Sequence, residues 1–333
     1  MLVFGMESSC DETSAAVVEM DEGVRRIRSN IIASQVETHR LYGGVVPEIA
    51  SRAHIEAVTG ITRRALDTAG VDIKDIGAVA VTARPGLIGA LLVGVCFAKS
   101  LAYANNIPLV PVDHIKAHAA AAYLSQPDLE PPFLCIIVSG GHTSIYKVTS
   151  YTGFEEIAST RDDAAGEAFD KIGRFIGLPY PGGAAMDKLA AGGNPNAVDL
   201  PSPALSGNTL DFSFSGLKTA TINYINNARQ RGTEPPSADI AASFTHAVVS
   251  ALVQRAETAL KLTGMKTLVL AGGVAANSHL RRALAELCDL LGVAFVVPPA
   301  GLCGDNAAMV AAAGYYAYLD GVRADISLNA SAI

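Results

Sequence analysis

Two histidines four positions apart, His114 and His118, open the alanine-rich segment "DHIKAHAAAAY" (113–123). If Asp113 caps a helix there, the pair lies about one turn apart, with Cβ atoms roughly 5–6 Å from each other. Such a pair either shares a metal ion or packs as buried rings, and the segment alone leaves both open. It argues against a zinc peptidase, because HExxH needs glutamate directly after the first histidine as general base, and Ile115 stands there. A third donor strengthens the metal reading: "GLCGDN" (301–306) follows a strand pattern and delivers Asp305 at a helix start. Two histidines and a carboxylate with open positions can polarise an anionic ligand. Asp305 also reads as a helix N-cap, and the two roles are compatible. Cys303 reads as a small buried residue rather than a ligand.

A second group of carboxylates lies in "RDDAAGEAFDK" (161–171): Asp163, Glu167 and Asp170 share one face if the segment is helical. They serve either as acid–base groups or as a solvated face with Lys171 and Arg174 as counterions. Two glycine-rich turns could bring backbone N–H groups to phosphate oxygens: Ser139-Gly140-Gly141-His142-Thr143, and Gly272-Gly273 ahead of Asn277. Each is also an ordinary turn, and neither has GxGxxG spacing or a P-loop lysine.

Elements positioning these residues follow from apolar periodicity. Strands are predicted at 2–6 and 15–20, and the hairpin pattern recurs at 132–138 and 144–148. Helices are expected at 51–69 and 87–105, strands at 76–83 and 107–112. After a polar, glycine-rich stretch the same order returns, with a helix at 239–262, a strand at 267–270, a helix at 278–291, a strand at 293–297 and a last helix from 305. Two hairpin-led β/α units in tandem imply two similar lobes facing one another across a cleft.

With 333 residues, half of them apolar, the chain can bury substantial cores. A net charge of −7 gives no global attraction for a polyanion. A nucleic-acid partner would need a helper protein or a local patch, for which Arg25, Arg26 and Arg28 are a candidate, though they also read as a solvated turn. Five cysteines without CxxC spacing point to reduced thiols. The chain shows neither an uninterrupted apolar run of about 18 residues nor a basic leader, so a cytoplasmic protein without membrane contact is expected.

Ten motifs in order, "GMESSCDET", "PEIASRAH", "RPGLIGALLVG", "DHIKAH", "VSGGHT", "DDAAGEAFDK", "PYPGG", "FSFSGLKTA", "AGGVAANSHLR" and "GDNAAM", resemble the tRNA N6-adenosine threonylcarbamoyltransferases over nearly the whole chain. The resemblance implies an α/β fold with two actin-like (ribonuclease H-like) lobes facing across a nucleotide-binding cleft, and a largely helical insertion in the second lobe. The first lobe would span 1–110, completed by the C-terminal helix at about 306–333, and the second 111–305 with its insertion at about 151–236. The reaction implied is transfer of threonylcarbamoyl from threonylcarbamoyl-adenylate to N6 of the adenosine 3′ of the anticodon in tRNAs reading A-starting codons, with AMP released. A carbamoyltransferase of the same fold with a small-molecule acceptor is the alternative.

Carried over by motif, His114, His118 and Asp305 would hold one divalent metal ion, iron or zinc. Ile137, Val138, Ser139, Gly140, Gly141, Asp170, Gly183, Asp187 and Asn277 would line the adenylate site. Asp11, Asp163 and Glu167 are the candidates for the proton acceptor. Relatives imply tRNA, a catalytically inactive paralogue subunit and a small ATPase as partners. Many relatives carry an acidic residue where this chain has Lys116, a position pointing away from the histidine pair.

Overall fold

A computed structural model describes residues 1–333 except Ala204, Ser206 and Asn208. Two compact units emerge, one made of Met1–Pro131, Thr149–Phe154 and Pro298–Ile333, the other of Pro132–Val148 and Glu155–Val297.

The first unit opens with β1 (Leu2–Glu7), β2 (Glu12–Asp21) and β3 (Val24–Ser34), an antiparallel meander. On its other side β1 pairs in parallel with β4 (Ala78–Arg84). A strand covered on both faces reads as a continuous apolar run, and β1 is buried from Val3 onward. The edge strand β3 largely alternates in exposure, as half-buried strands do. The basic segment at 25–28 is therefore strand rather than a solvated turn. Arg25 donates to the Leu129 carbonyl (2.8 Å) and the Tyr151 hydroxyl (3.1 Å), and Arg28 pairs with Glu19 (3.2 Å). Two of the three guanidiniums of the candidate patch are thus engaged within the unit.

Helix α1 (Val36–Arg40) is followed by α2 (Pro47–Ala69), which starts on a proline, tolerated where the N–H has no helical partner, and stops at Gly70 in the left-handed region. Then come α3 (Ile88–Asn105), β5 (Leu109–Asp113) and α4 (His114–Ser125). The sheet order is β3-β2-β1-β4-β5. Among the described residues α3 is the one helix long and apolar enough to cross a membrane. It also packs against β1, β4 and α2, as a core helix does.

The second unit repeats this plan. Its strands are β6 (Phe133–Val138), β7 (Thr143–Val148), β8 (Phe154–Ser159), β9 (Thr267–Ala271) and β10 (Ala294–Val296), in the order β10-β9-β6-β7-β8. Again a central strand pairs antiparallel with its hairpin partner and parallel with a later strand. Both β3 and β8, third strands of their meanders, are additions to the elements expected from periodicity. Helices α5 (Ala165–Phe175), α6 (Gly182–Ala190) and α7 (Phe214–Arg231) come between β8 and the long α8 (Ser237–Thr263), and α9 (Ser278–Leu291) connects β9 to β10. The helical material of the expected insertion thus begins after β8.

The chain then returns to the first unit with α10 (Ala300–Cys303) and α11 (Ala307–Leu319). Helix α11 packs on β1, β2, β4 and α4. This contact with α11 keeps α4 in the first unit, so the compact units change at Pro131/Pro132 rather than at 110/111. Close packing requires Gly5, where a Cβ would lie 2.2 Å from the Ala307 carbonyl oxygen.

Candidate active site

Helix α4 starts at His114 because the Asp113 side chain accepts the N–H groups of Ile115 (3.1 Å) and Lys116 (3.3 Å), satisfying donors that a first turn leaves open. One turn separates the two histidines, whose ring centroids are 4.7 Å apart. Asp305 comes from the loop before α11. The expectation that it caps that helix is corrected, because the cap is the next residue, Asn306, whose side-chain oxygen accepts from Met309 N at 3.1 Å. The Asp305 carboxylate faces the histidines, with Oδ1 3.3 Å from His118 Nε2 and 3.6 Å from His114 Nε2. One donor atom from each of the three residues lies within 4.8 Å of the others, the one such grouping among the described residues.

The fit to a metal ion can be tested on His118. It is 1% exposed, and neither ring nitrogen has a hydrogen-bond partner; the approach to Asp305 lacks hydrogen-bond geometry. A buried polar group left unpaired costs about 1–3 kcal/mol, and a cation at Nε2 would remove that cost. Two imidazoles and a carboxylate suit zinc or ferrous iron. Cys303 is buried outside the cluster. Lys116 reaches over the Phe154 ring, 5.4 Å from its centroid.

Three carboxylates at the end of β1 and the start of β2 bear on this centre. Glu7, fully buried, contacts His114 Nδ1 at 3.1 Å. As a lone acid ending an apolar strand, it carried no spacing signal. Burial opposes charge on His114, but Asp305 and Glu7 outweigh it and push its pKa up to about 9. Burial, reinforced by the Asp305 charge, raises the Asp11 carboxyl above the usual range.

Burial also pushes Glu12 up to about 7, against a hydrogen bond from Ser34 (2.8 Å) and with the Asp11 and Asp305 charges adding to the rise. Its Oε2 is buried without a partner. Folding raises this pKa, so the associated stability is complete below the unfolded value of 4.5 and is lost as pH rises through about 7. Glu12→Gln, a mimic of the protonated form, is expected to raise the melting temperature above neutrality and to leave it unchanged in acid below the unfolded pKa. With residual solvent screening the gain is on the order of 1 kcal/mol, about 2–4 °C in a large domain. Thermal melts at the two pH values check this, and equal shifts at both would rule out ionisation as the cause.

The predicted adenylate residues all lie in the second unit. Ile137 and Val138 are fully buried in β6, which leaves their backbone as the part able to meet a ligand. In the turn that follows, Ser139 Oγ accepts His142 N at 3.1 Å, while Gly140 and Gly141 are exposed. Gly272 approaches this strand with φ 92°, and a Cβ there would lie 2.4 Å from the Val138 carbonyl oxygen, so only glycine fits. Asp170 Oδ1 accepts from the N–H groups of Gly182 (2.7 Å) and Gly183 (3.2 Å), holding the start of α6 against α5. Asp187 Oδ1 accepts from Ser278 N (3.0 Å) and contacts His279 Nδ1 (2.9 Å). Asn277 caps α9 by accepting Leu280 N at 2.9 Å.

Asp163 and Glu167 are counter-charged. Asp163 pairs with Lys218, a residue the sequence reading did not single out, and lies 3.5 Å from Lys171; Glu167 is 2.6 Å from Lys171. Burial alone would raise the Asp163 carboxyl, but the hydrogen bond from Lys218 and the two lysine charges hold it below the usual range.

Comparison with known proteins agrees with this architecture. The family model described as tRNA N6-adenosine threonylcarbamoyltransferase matches residues 26–312. The chain is 52% identical over 328 residues to the tRNA N6-adenosine threonylcarbamoyltransferase of Moorella thermoacetica, covering 98% of this chain and 95% of the relative. To the protein of the same name from Clostridium botulinum strain Hall it is 49% identical over 328 residues, covering 98% and 96%. Among solved structures, T. kodakarensis HypF is similar in fold, with a TM-score of 0.64 at 14% identity over 98% of this chain and 48% of its own. Full-length HypF in its phosphate- and nucleotide-bound form is likewise similar in fold, with a TM-score of 0.62 at 17% identity over 96% of this chain and 46% of its own. With about half of all residues identical along nearly its whole length, the chain belongs to the tRNA N6-adenosine threonylcarbamoyltransferase family of transferases.

Proposed function

We propose that this protein transfers the threonylcarbamoyl group of threonylcarbamoyl-adenylate to N6 of the adenosine 3′ of the anticodon in tRNAs reading A-starting codons. The observation that carries the reading is the His114–His118–Asp305 grouping with its unpartnered, buried His118 nitrogens, in a chain of this family.

The donor is a mixed anhydride, already activated toward acyl transfer. A bond forms between N6 and the carbamoyl carbon, the bond from that carbon to the phosphate oxygen breaks, AMP leaves, and N6 gives up a proton. The adenine amine is a weak nucleophile, so its orientation and the removal of that proton are the protein's task. Asp11, with its raised pKa, suits proton acceptance near neutral pH better than Asp163, which its lysines keep depressed. His114, His118 and Asp305 would hold a zinc or ferrous ion, and the chemistry it would supply is positive charge for an anionic leaving group.

Backbone groups from Ile137 to Gly141, with Gly183 and Asn277, hold the adenylate, and Asp170 and Asp187 fix the turns that carry them. A chain of net charge −7 is a poor match for tRNA on its own. Engagement of Arg25 and Arg28 inside the first unit adds to that argument. Partners, an inactive paralogue and a small ATPase, therefore contribute to tRNA capture in the cytoplasm.

The test combines metal-loaded protein, those partners, threonylcarbamoyl-adenylate and unmodified tRNA, with the modified nucleoside read by mass spectrometry. Product from the wild type and none from His114→Ala is the expected result. Intact adenylate without product would overturn the tRNA acceptor and favour carbamoyl transfer to a small molecule.

A further inference from the structure

We infer that Glu7 is a positioning residue for the metal centre: it fixes the His114 ring so that Nε2, and not Nδ1, is the ligand atom. The inference rests on the metal reading above and concerns a residue outside the three donors.

Glu7 is the last residue of β1 and is 0% exposed. Its Oε1 accepts Ser9 N at 2.6 Å; its Oε2 accepts the Thr82 hydroxyl at 2.7 Å and contacts His114 Nδ1 at 3.1 Å. An ionised carboxylate only accepts hydrogen bonds, so Nδ1 carries a hydrogen, and Nε2, whose own proton a cation can displace, is the nitrogen left for the ligand role. Nε2 is the nitrogen on the Asp305 side, 3.6 Å from Oδ1. The Ser9 hydroxyl also approaches Nδ1 at 3.2 Å, and its oxygen can share that hydrogen.

The carboxylate is itself held from two directions, by the turn after β1 and by β4, so it cannot swing away from the ring. Its pairing separates the two histidines, since His118 has no partner on either nitrogen. A metal-bound histidine commonly donates its second N–H to a carboxylate, which orients the ring and raises its basicity. Here one histidine is set in advance and the other is not. With Asp305, Glu7 also brings the local negative charge to that of a divalent cation. A fully buried carboxylate is otherwise expensive to keep ionised.

Zn²⁺ affinity of the metal-free full-length protein, read by competition with a chromogenic chelator, tests the inference, together with the visible absorption of the Co²⁺-loaded protein. Glu7→Gln is expected to weaken Zn²⁺ binding roughly 10–100-fold and to shift the Co²⁺ bands. Thr82→Val, which frees the carboxylate on one side, should weaken binding in the same direction, and Thr82→Ser should restore it. Should Glu7→Gln fail to fold, the Thr82 pair decides on its own. A purely structural Glu7 would lower metal-free melting temperature while leaving affinity and Co²⁺ spectrum as in wild type, and that result overturns the role. Wild-type protein that binds neither ion would overturn the metal reading and this inference together, whereas a binding wild type with unchanged variants sinks the Glu7 role alone.

Discussion

His118→Ala is expected to abolish metal-dependent stabilisation while leaving the metal-free protein about as stable as before. Two opposing terms set the second half of that result. Removing a buried ring creates a cavity, and large-to-small core changes usually cost about 2–5 kcal/mol. Against this, the two ring nitrogens are buried without partners, and relieving two such groups returns about 1–3 kcal/mol each. The terms nearly cancel. Metal binding has no such compensation: structural zinc sites bind with about 10–16 kcal/mol through four ligands, so one lost ligand is worth roughly two to three orders of magnitude in affinity. Melts of wild type and variant, each with and without Zn²⁺, check both halves. If the variant loses several kcal/mol without metal and the wild type gains nothing with it, the histidines are packing residues.

The histidine pair was legible because both of its requirements are local. Asp113 caps the helix, and a spacing of four then puts His114 and His118 on one face. Asp305 was legible as a member of the grouping but misread as a cap, since Asp305 and Asn306 are both competent caps and only the chain path shows that Asn306 takes the role. The repeated hairpin was visible in its apolar strands. Its third strands, β3 and β8, were not, because edge strands mix exposed polar and buried apolar positions and so resemble connecting segments. That misreading hid what Arg25 and Arg28 do. Glu7 and Lys218 share a different cause: each acts on a residue far along the chain, His114 and Asp163 respectively, and no spacing rule connects positions so far apart. The apolar sequence of β1 forecast burial but not what a buried acid at its end would meet.

Gly5→Ala is the second large effect, and it connects the strand core to the candidate metal centre. A Cβ at this position would lie 2.2 Å from the Ala307 carbonyl oxygen, 2.9 Å from Ala311 N and 3.0 Å from Ala311 Cβ. Two of these are backbone atoms, which no rotamer change can move. The start of α11 is also tied to β2, where Ser14 Oγ accepts Ala307 N at 2.9 Å. Relief therefore requires β1 and α11 to separate as elements, beyond the usual overpacking cost of about 1–3 kcal/mol. A loss of about 3 kcal/mol would lower the melting temperature by roughly 6–12 °C. Asp305 precedes Ala307 by two residues, in the loop that leads into α11, and Glu7 follows Gly5 by two on β1. Zn²⁺ affinity should consequently fall along with stability, although residue 5 touches none of the donors. A variant that melts lower yet binds Zn²⁺ as tightly as wild type would show that the 304–306 loop sets the Asp305 carboxylate independently of α11.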